Sequence, residues 1–229
     1  MAQQAHLPHM ANFISNLKEV DRLLDIHAKI TSPGPGRKHA VEILHKSGVV
    51  LLVACWEAFV EDLVTNALTV LIENADDHSA LPDELLERIG NKHAGKNAWA
   101  LAGTGWKVAC RNNLKEVLAK TIANLNSPKA AQVDDLFDKS IGLKNISKKW
   151  SWRGRTATRS RADLDSLVSL RGSIAHRVAA ARNVRKKDVT GARDFISRLS
   201  VKSHNAVAAH LDARLGASPW GIYWFDETK

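Results

Sequence analysis

Apolar residues recur at helical spacing along almost the whole chain, and neither a run of alternating β-branched residues nor an Asn-Gly turn interrupts them. Met10 to Ile30 puts Phe13, Leu17, Val20 and Leu24 on one face. "TSPGPGR" (Thr31 to Arg37) ends that helix, because two prolines and two glycines cannot continue it. A long helix is expected from about Lys38 to Glu73. After Gly48 it is apolar on most sides, which suits the centre of a bundle. Gly48 to Ile72 has the length of a bilayer span, yet Glu57, Glu61 and Asp62 sit near its middle, where lipid makes acids costly. A buried helix without a membrane is therefore expected.

Pro82 can start a short helix, and the glycine-rich "GNKHAGKNAWALAGTG" after it reads as irregular. Helices follow at about Trp106 to Leu125, and from Ser127 as cap and Pro128 at the first position to a stop at Gly142. Ser160 is expected to cap the next helix, with Asp163 completing a capping box. The last helix should run from about Asp188 to Leu215, with the aromatic tail "ASPWGIYWFDETK" docked on the body. The sum is an all-α, up-and-down bundle, one domain over residues 1–229, around a long central helix.

One helix breaks its own pattern. In "LVSLRGSIAHR" (Leu167 to Arg177), the residues Leu164, Leu167, Val168, Ile174, Ala175 and Val178 form an apolar arc, and Arg171 falls at its centre. A guanidinium buried there without a partner would cost several kcal/mol. It must be paired, with Glu57 of the central helix as a structural candidate, or it must face a cleft. The neighbouring arc holds Ala162, Asp165, Ser169, Gly172, Ser173 and His176, mostly small residues that allow a second helix to come close. Arg171 and His176 are about 140° apart on an ideal helix, so one straight helix does not join them. Two copies packed face to face would, and a twofold dimer is the commonest way for a surface to meet itself. His176 also fits an ordinary helix-end histidine, favoured by the C-terminal dipole.

The spacing alone is weak. Arg-x4-His occurs at Arg22/His27, Arg88/His93 and Arg171/His176. The third alone combines a capped helix, a buried-looking arginine and a small face, and it directly follows the most basic part of the chain.

That part carries most of the net charge of +9. Between Asp138 and Asp163 there is no acid, while Lys139, Lys144, Lys148, Lys149, Arg153, Arg155, Arg159 and Arg161 lie there with Trp150 and Trp152 among them. Concentrated positive charge is the footprint of a polyanion binder. A solvated, disordered charge run is the competing reading, and packing is the competing role for the two tryptophans. Cys55 and Cys110 sit in apolar helical surroundings as core thiols. With no visible secretory leader, they favour the cytoplasm. No His/Cys cluster, phosphate loop or nucleophile elbow is present, so no metal and no cofactor are expected.

"DLDSLVSLRGSIAHR" resembles the motif helix of the HEPN superfamily, in its RiboL-PSP-HEPN group, and "VACWEAFVEDL" (Val53 to Leu63) resembles the early helix of that group. The resemblance implies an all-helical bundle, a homodimer and a metal-independent endoribonuclease, often in toxin–antitoxin or phage-defence roles, with a cognate antitoxin or defence partner. Carried over, Arg171 and His176 are catalytic; beside that resemblance, Glu57 is read as an orienting partner, with Gly172 and Ser173 as further supporting residues. The group often has Asn, Asp or His directly after the arginine, where this chain has Gly172. That departure points to the alternative, a catalytically inactive helical module binding RNA or a protein partner.

The chemistry fits the residue types. The 2′-hydroxyl of RNA can attack its neighbouring phosphate. Histidine serves as base or acid near neutrality, and an arginine fork stabilises charge building on the phosphate oxygens. Lys144, Lys148, Lys149, Arg153, Arg155, Arg159 and Arg161 would meet RNA phosphates, and Trp150 and Trp152 would stack on unpaired bases.

Overall fold

Burial on nearly every side makes α2 (Glu42–Asn74) the axis of the protein. The structure, a computed structural model, describes residues 6–30, 41–122, 125, 127–177, 183–217 and 219–225. Around α2 pack α1 (Pro8–Ile30), α4 (Gly105–Ile122), α5 (Ala130–Ile141), α6 (Ala157–Arg177) and α7 (Lys186–Leu215), while α3 (Asp83–Lys92) lies against α4 and α5. Three 3-10 segments, His78–Ala80, Gly95–Leu101 and Ile146–Lys149, join them. Among the described residues no strand forms, and one isolated bridge pairs Trp152 with Arg155. The protein is an all-α bundle with a long central helix.

One contiguous apolar core runs from Met10 to Tyr223. At its centre Trp56 and Trp150 meet edge-on with ring centroids 5.8 Å apart. The Trp56 indole N–H donates to the Pro128 carbonyl at 3.0 Å. Gly48 lets α2 and α7 touch, since a Cβ there would stand 2.8 Å from Val189 Cγ1. By length and composition α2 could cross a membrane, but half of its most apolar window is buried inside the bundle. Cys55 and Cys110 are free and buried, and burial pushes both thiols up to about 11.

Several helix ends differ from the local signals. The α6 cap is Thr156, whose Oγ1 accepts from the Arg159 N–H at 3.2 Å. Ser160 lies inside the first turn, fully buried, and takes a hydrogen bond from Arg155 Nε instead. α5 starts at Ala130 rather than Pro128, and its first N–H is satisfied from another helix, by Asp165 of α6 at 2.9 Å. Gly142 ends α5 in the left-handed conformation, φ 73°, as expected. The break at Thr31 to Arg37, the first residues of the expected second helix, and Val178 lie outside the described residues.

The tail docks, through a buried relay. The Asn66 amide donates to His9 Nδ1 at 3.1 Å, so the His9 proton sits on Nε2 and points at His204 Nδ1, 2.9 Å away. His204 Nε2 then donates to the Gly221 carbonyl at 2.8 Å. Trp220 stacks on His204 and tilts against His9. Burial, and then the neighbouring His204, hold His9 down to about 3. An unfolded histidine takes up a proton below its ordinary 6.5, while folded His9 refuses it down to about 3. Its contribution is therefore complete above pH 6.5 and lost as pH falls, by about 1.4 kcal/mol per unit. Urea unfolding at pH 7 and pH 5 should show this loss, and His9→Gln should flatten it by about one proton.

Candidate functional site

α6 is placed through its N-terminal half. Asp165 reaches across to cap α5, and Arg155, just before the helix, is locked by Asp163, by Ser160 Oγ at 3.2 Å and by the Phe195 ring 4.5 Å away. Leu164, Val168 and Ile174 are buried, and Leu167 packs partly against the core. This sets the face of Arg171.

Arg171 is half-buried, and its Nε is buried without a hydrogen-bond partner. Among the described residues it makes no ion pair, with Glu57 or with any other carboxylate. Glu57 instead lies in an acidic group on α2, where burial first, and then Glu57 and Asp62, raise the Glu61 pKa. The structural pairing weighed from sequence is therefore not formed. The other two Arg-x4-His arginines are engaged: Arg22 pairs with Glu19 at 3.1 Å and Arg88 with Glu84 at 2.5 Å. The third differs in kind. Its guanidinium is partly withdrawn from water and, among the described residues, is held by no carboxylate, which leaves it available to an anion.

His176 is exposed near the end of α6, and among the described residues it makes no hydrogen bond. Ser173 Oγ is turned back to the Leu170 carbonyl at 2.8 Å. At Gly172 a Cβ would meet nothing within 4 Å, so packing does not require the glycine. Ala162, Ser166, Ser169 and Ala175 are exposed, leaving a small-residue face open. Beside it a groove of about 660 Å³ runs between α6 and α7, floored by Leu167, Leu170, Ala192 and Phe195.

The basic loop is built rather than loose. Ile146, Ser147 and Trp150 are fully buried, and Asp134 takes hydrogen bonds from the Ser147 N–H at 2.8 Å and its hydroxyl at 2.6 Å. These anchors turn Lys144, Lys148 and Lys149 outward. An Arg153-Gly154 turn, closed by the Trp152–Arg155 bridge with Gly154 at φ 80°, presents Arg153.

Three residues assigned to RNA from sequence have other work. Trp150 is fully buried and donates to Ser203 Oγ at 2.9 Å, so it cannot stack on a base. Trp152 packs against the core, with its ring 6.3 Å from Phe195. Arg155 is held by Asp163, Ser160 and two rings. Arg159 is exposed but leans on Asp163 at 3.0 Å, and Arg161 is half-buried. Among the described residues of this loop, the exposed cations without an ion pair are Lys144, Lys148, Lys149 and Arg153. Trp150→Ala should cost about 3–5 kcal/mol of stability, read by urea unfolding, because it empties the core centre. Period and composition could not separate a buried from a stacking tryptophan. The alternation of Ile146, Ser147 and Trp150 with the lysines was the available signal.

A protein-family model described as RiboL-PSP-HEPN matches residues 11–208. No curated protein and no solved structure matches the chain significantly. The family match runs from the first turn of α1 through most of α7, with Arg171 and His176 inside it.

Proposed function

Since the chain belongs to the RiboL-PSP-HEPN family, we propose that it is a metal-independent endoribonuclease acting at Arg171 and His176. The observation that carries this reading is Arg171, a half-buried arginine without a carboxylate partner among the described residues, one helical stretch before an exposed histidine. The Arg171 guanidinium binds the scissile phosphate and stabilises the charge that grows on its oxygens. A histidine base takes the 2′-hydroxyl proton, the 2′-oxygen forms a bond to phosphorus, and the P–O5′ bond breaks. A histidine acid protonates the departing 5′-oxygen. The products are a 2′,3′-cyclic phosphate and a 5′-hydroxyl.

Two histidine roles call for two copies. The exposed face of Ala162, Ser166 and Ser169 supports close approach of a second α6, which brings a pair of Arg171/His176 sets to one cleft. Sedimentation without RNA at micromolar concentration should give a dimer, and a clean monomer contradicts this part of the proposal. The setting is cytoplasmic, in toxin–antitoxin or phage defence, with an antitoxin or defence partner as restraint.

Lys148, Lys149 and Arg153 hold the substrate backbone. Neutralising all three should weaken RNA binding and lower the salt-dependence slope by up to about 2, at roughly 0.7 per single-strand phosphate contact. Fold stability should be unchanged, since each is exposed.

The purified protein with chelator should cleave single-stranded RNA and leave DNA of the same sequence intact. Gly172 favours a second reading, an inactive module that binds RNA or a protein. RNA bound and never cut is its signature.

A further inference from the structure

Trp99 is 84% exposed, the most exposed of the large apolar side chains described. It sits on the 3-10 segment Gly95–Leu101, which buries none of its residues. Tryptophan is enriched at binding surfaces, where a large apolar ring meets a partner. The segment holding it is shaped by its glycines. Gly95 and Gly103 take φ of 65° and 59°, where side chains are disfavoured, and a Cβ on Gly105 would lie 2.0 Å from the Ala100 carbonyl oxygen. The Ala102 N–H donates to the Trp99 carbonyl at 3.2 Å and the Gly105 N–H to the Ala102 carbonyl at 2.9 Å. The exposure is thus set by a specified backbone.

The surroundings are cationic. From Arg88 to Lys115 the chain has no acid and six lysines and arginines. Arg88, Lys92 and Arg111 are matched to Glu84, Glu116 and Glu73. Lys96 is exposed and makes no ion pair among the described residues. Lys107 makes no ion pair among the described residues; it donates to the Glu73 carbonyl at 3.1 Å and lies 5.4 Å from the Trp106 ring. Lys96 and Trp99 are three apart in a 3-10 segment, the spacing at which side chains eclipse on one edge. A flat apolar ring and a point positive charge on one edge match a base and its phosphate.

We propose that Gly95–Leu101 is a second RNA contact, in which Trp99 stacks on an unpaired base and Lys96 meets the adjoining phosphate. Its main helix contact is with α4 rather than α6, so it would extend the footprint of the strand rather than the reacting centre. The inference rests on the ribonuclease reading for the identity of the strand.

The test measures binding of a 20-nucleotide unstructured RNA by His176→Ala protein, with and without Trp99→Ala, alongside sedimentation of both. Stacking on one base predicts affinity about 5–150-fold weaker for Trp99→Ala. Trp99→Phe should keep most of the binding, and the melting temperature should not move. Unchanged RNA affinity in Trp99→Ala overturns this inference alone and leaves the ribonuclease reading standing. So does loss of self-association in Trp99→Ala, which makes the segment a protein contact. Failure of the parent protein to bind RNA at all overturns both.

Discussion

His176→Ala is expected to lower RNA cleavage by about 10²–10⁴-fold, the usual cost of removing a proton-transfer group. The fold should not notice. His176 is exposed at the end of α6 and makes no hydrogen bond among the described residues, so its truncation should stay within about 0.5 kcal/mol of the parent. The dimer should persist as well. Cleavage rate, melting temperature and sedimentation of the one variant check all three expectations. Retained cleavage would remove His176 from the chemistry.

Arg171→Met is expected to inactivate the protein without destabilising it. The activity loss should reach about 10²–10³-fold, because a donor aimed at developing phosphate charge disappears. An arginine in a structural ion pair would behave differently, since removing it leaves a carboxylate stranded. Arg171 has no such partner among the described residues, and its buried Nε makes no hydrogen bond. An unsatisfied buried donor costs about 1–3 kcal/mol, so an uncharged side chain of similar length should leave the melting temperature unchanged or raise it. Arg193 supplies the contrast. It forms two 2.8 Å hydrogen bonds to Asp21 and ties α7 to α1, so Arg193→Met should lower the melting temperature. A fall for Arg171→Met comparable to that of Arg193→Met would return Arg171 to a structural role.

What could be read from the sequence was what one helix carries by itself. The near-continuous apolarity of Gly48 to Ile72 identified the central helix. The stop at Gly142 was visible in the glycine, and the offending Arg171 was visible in its own wheel. The misses concern partners far apart in the chain. Nothing near Pro128 announces that Asp165 will cap α5, and nothing near Ser160 announces that Arg155 will claim its hydroxyl. The His9–His204 contact spans 195 positions between α1 and α7, and neither residue stands in a motif. Trp150 was misplaced for the same reason, because the pocket that buries it is built by Trp56 and Ser203. Glu57 was offered to Arg171 on charge and burial alone. With α6 packed on α2, the two residues form no ion pair among the described residues.

The central claim is that the 2′-hydroxyl attacks its own phosphate at an Arg171/His176 site. The most direct measurement is mass spectrometry of RNA fragments made by the purified protein in chelator, followed by the same assay on an RNA with one 2′-deoxynucleotide at the mapped cleavage position. The account predicts fragments ending in a 2′,3′-cyclic phosphate with 5′-hydroxyl partners, and no cut at the deoxy position while other sites are still cut. Fragments with 3′-hydroxyl and 5′-phosphate ends, or undiminished cutting at the deoxy position, would contradict it.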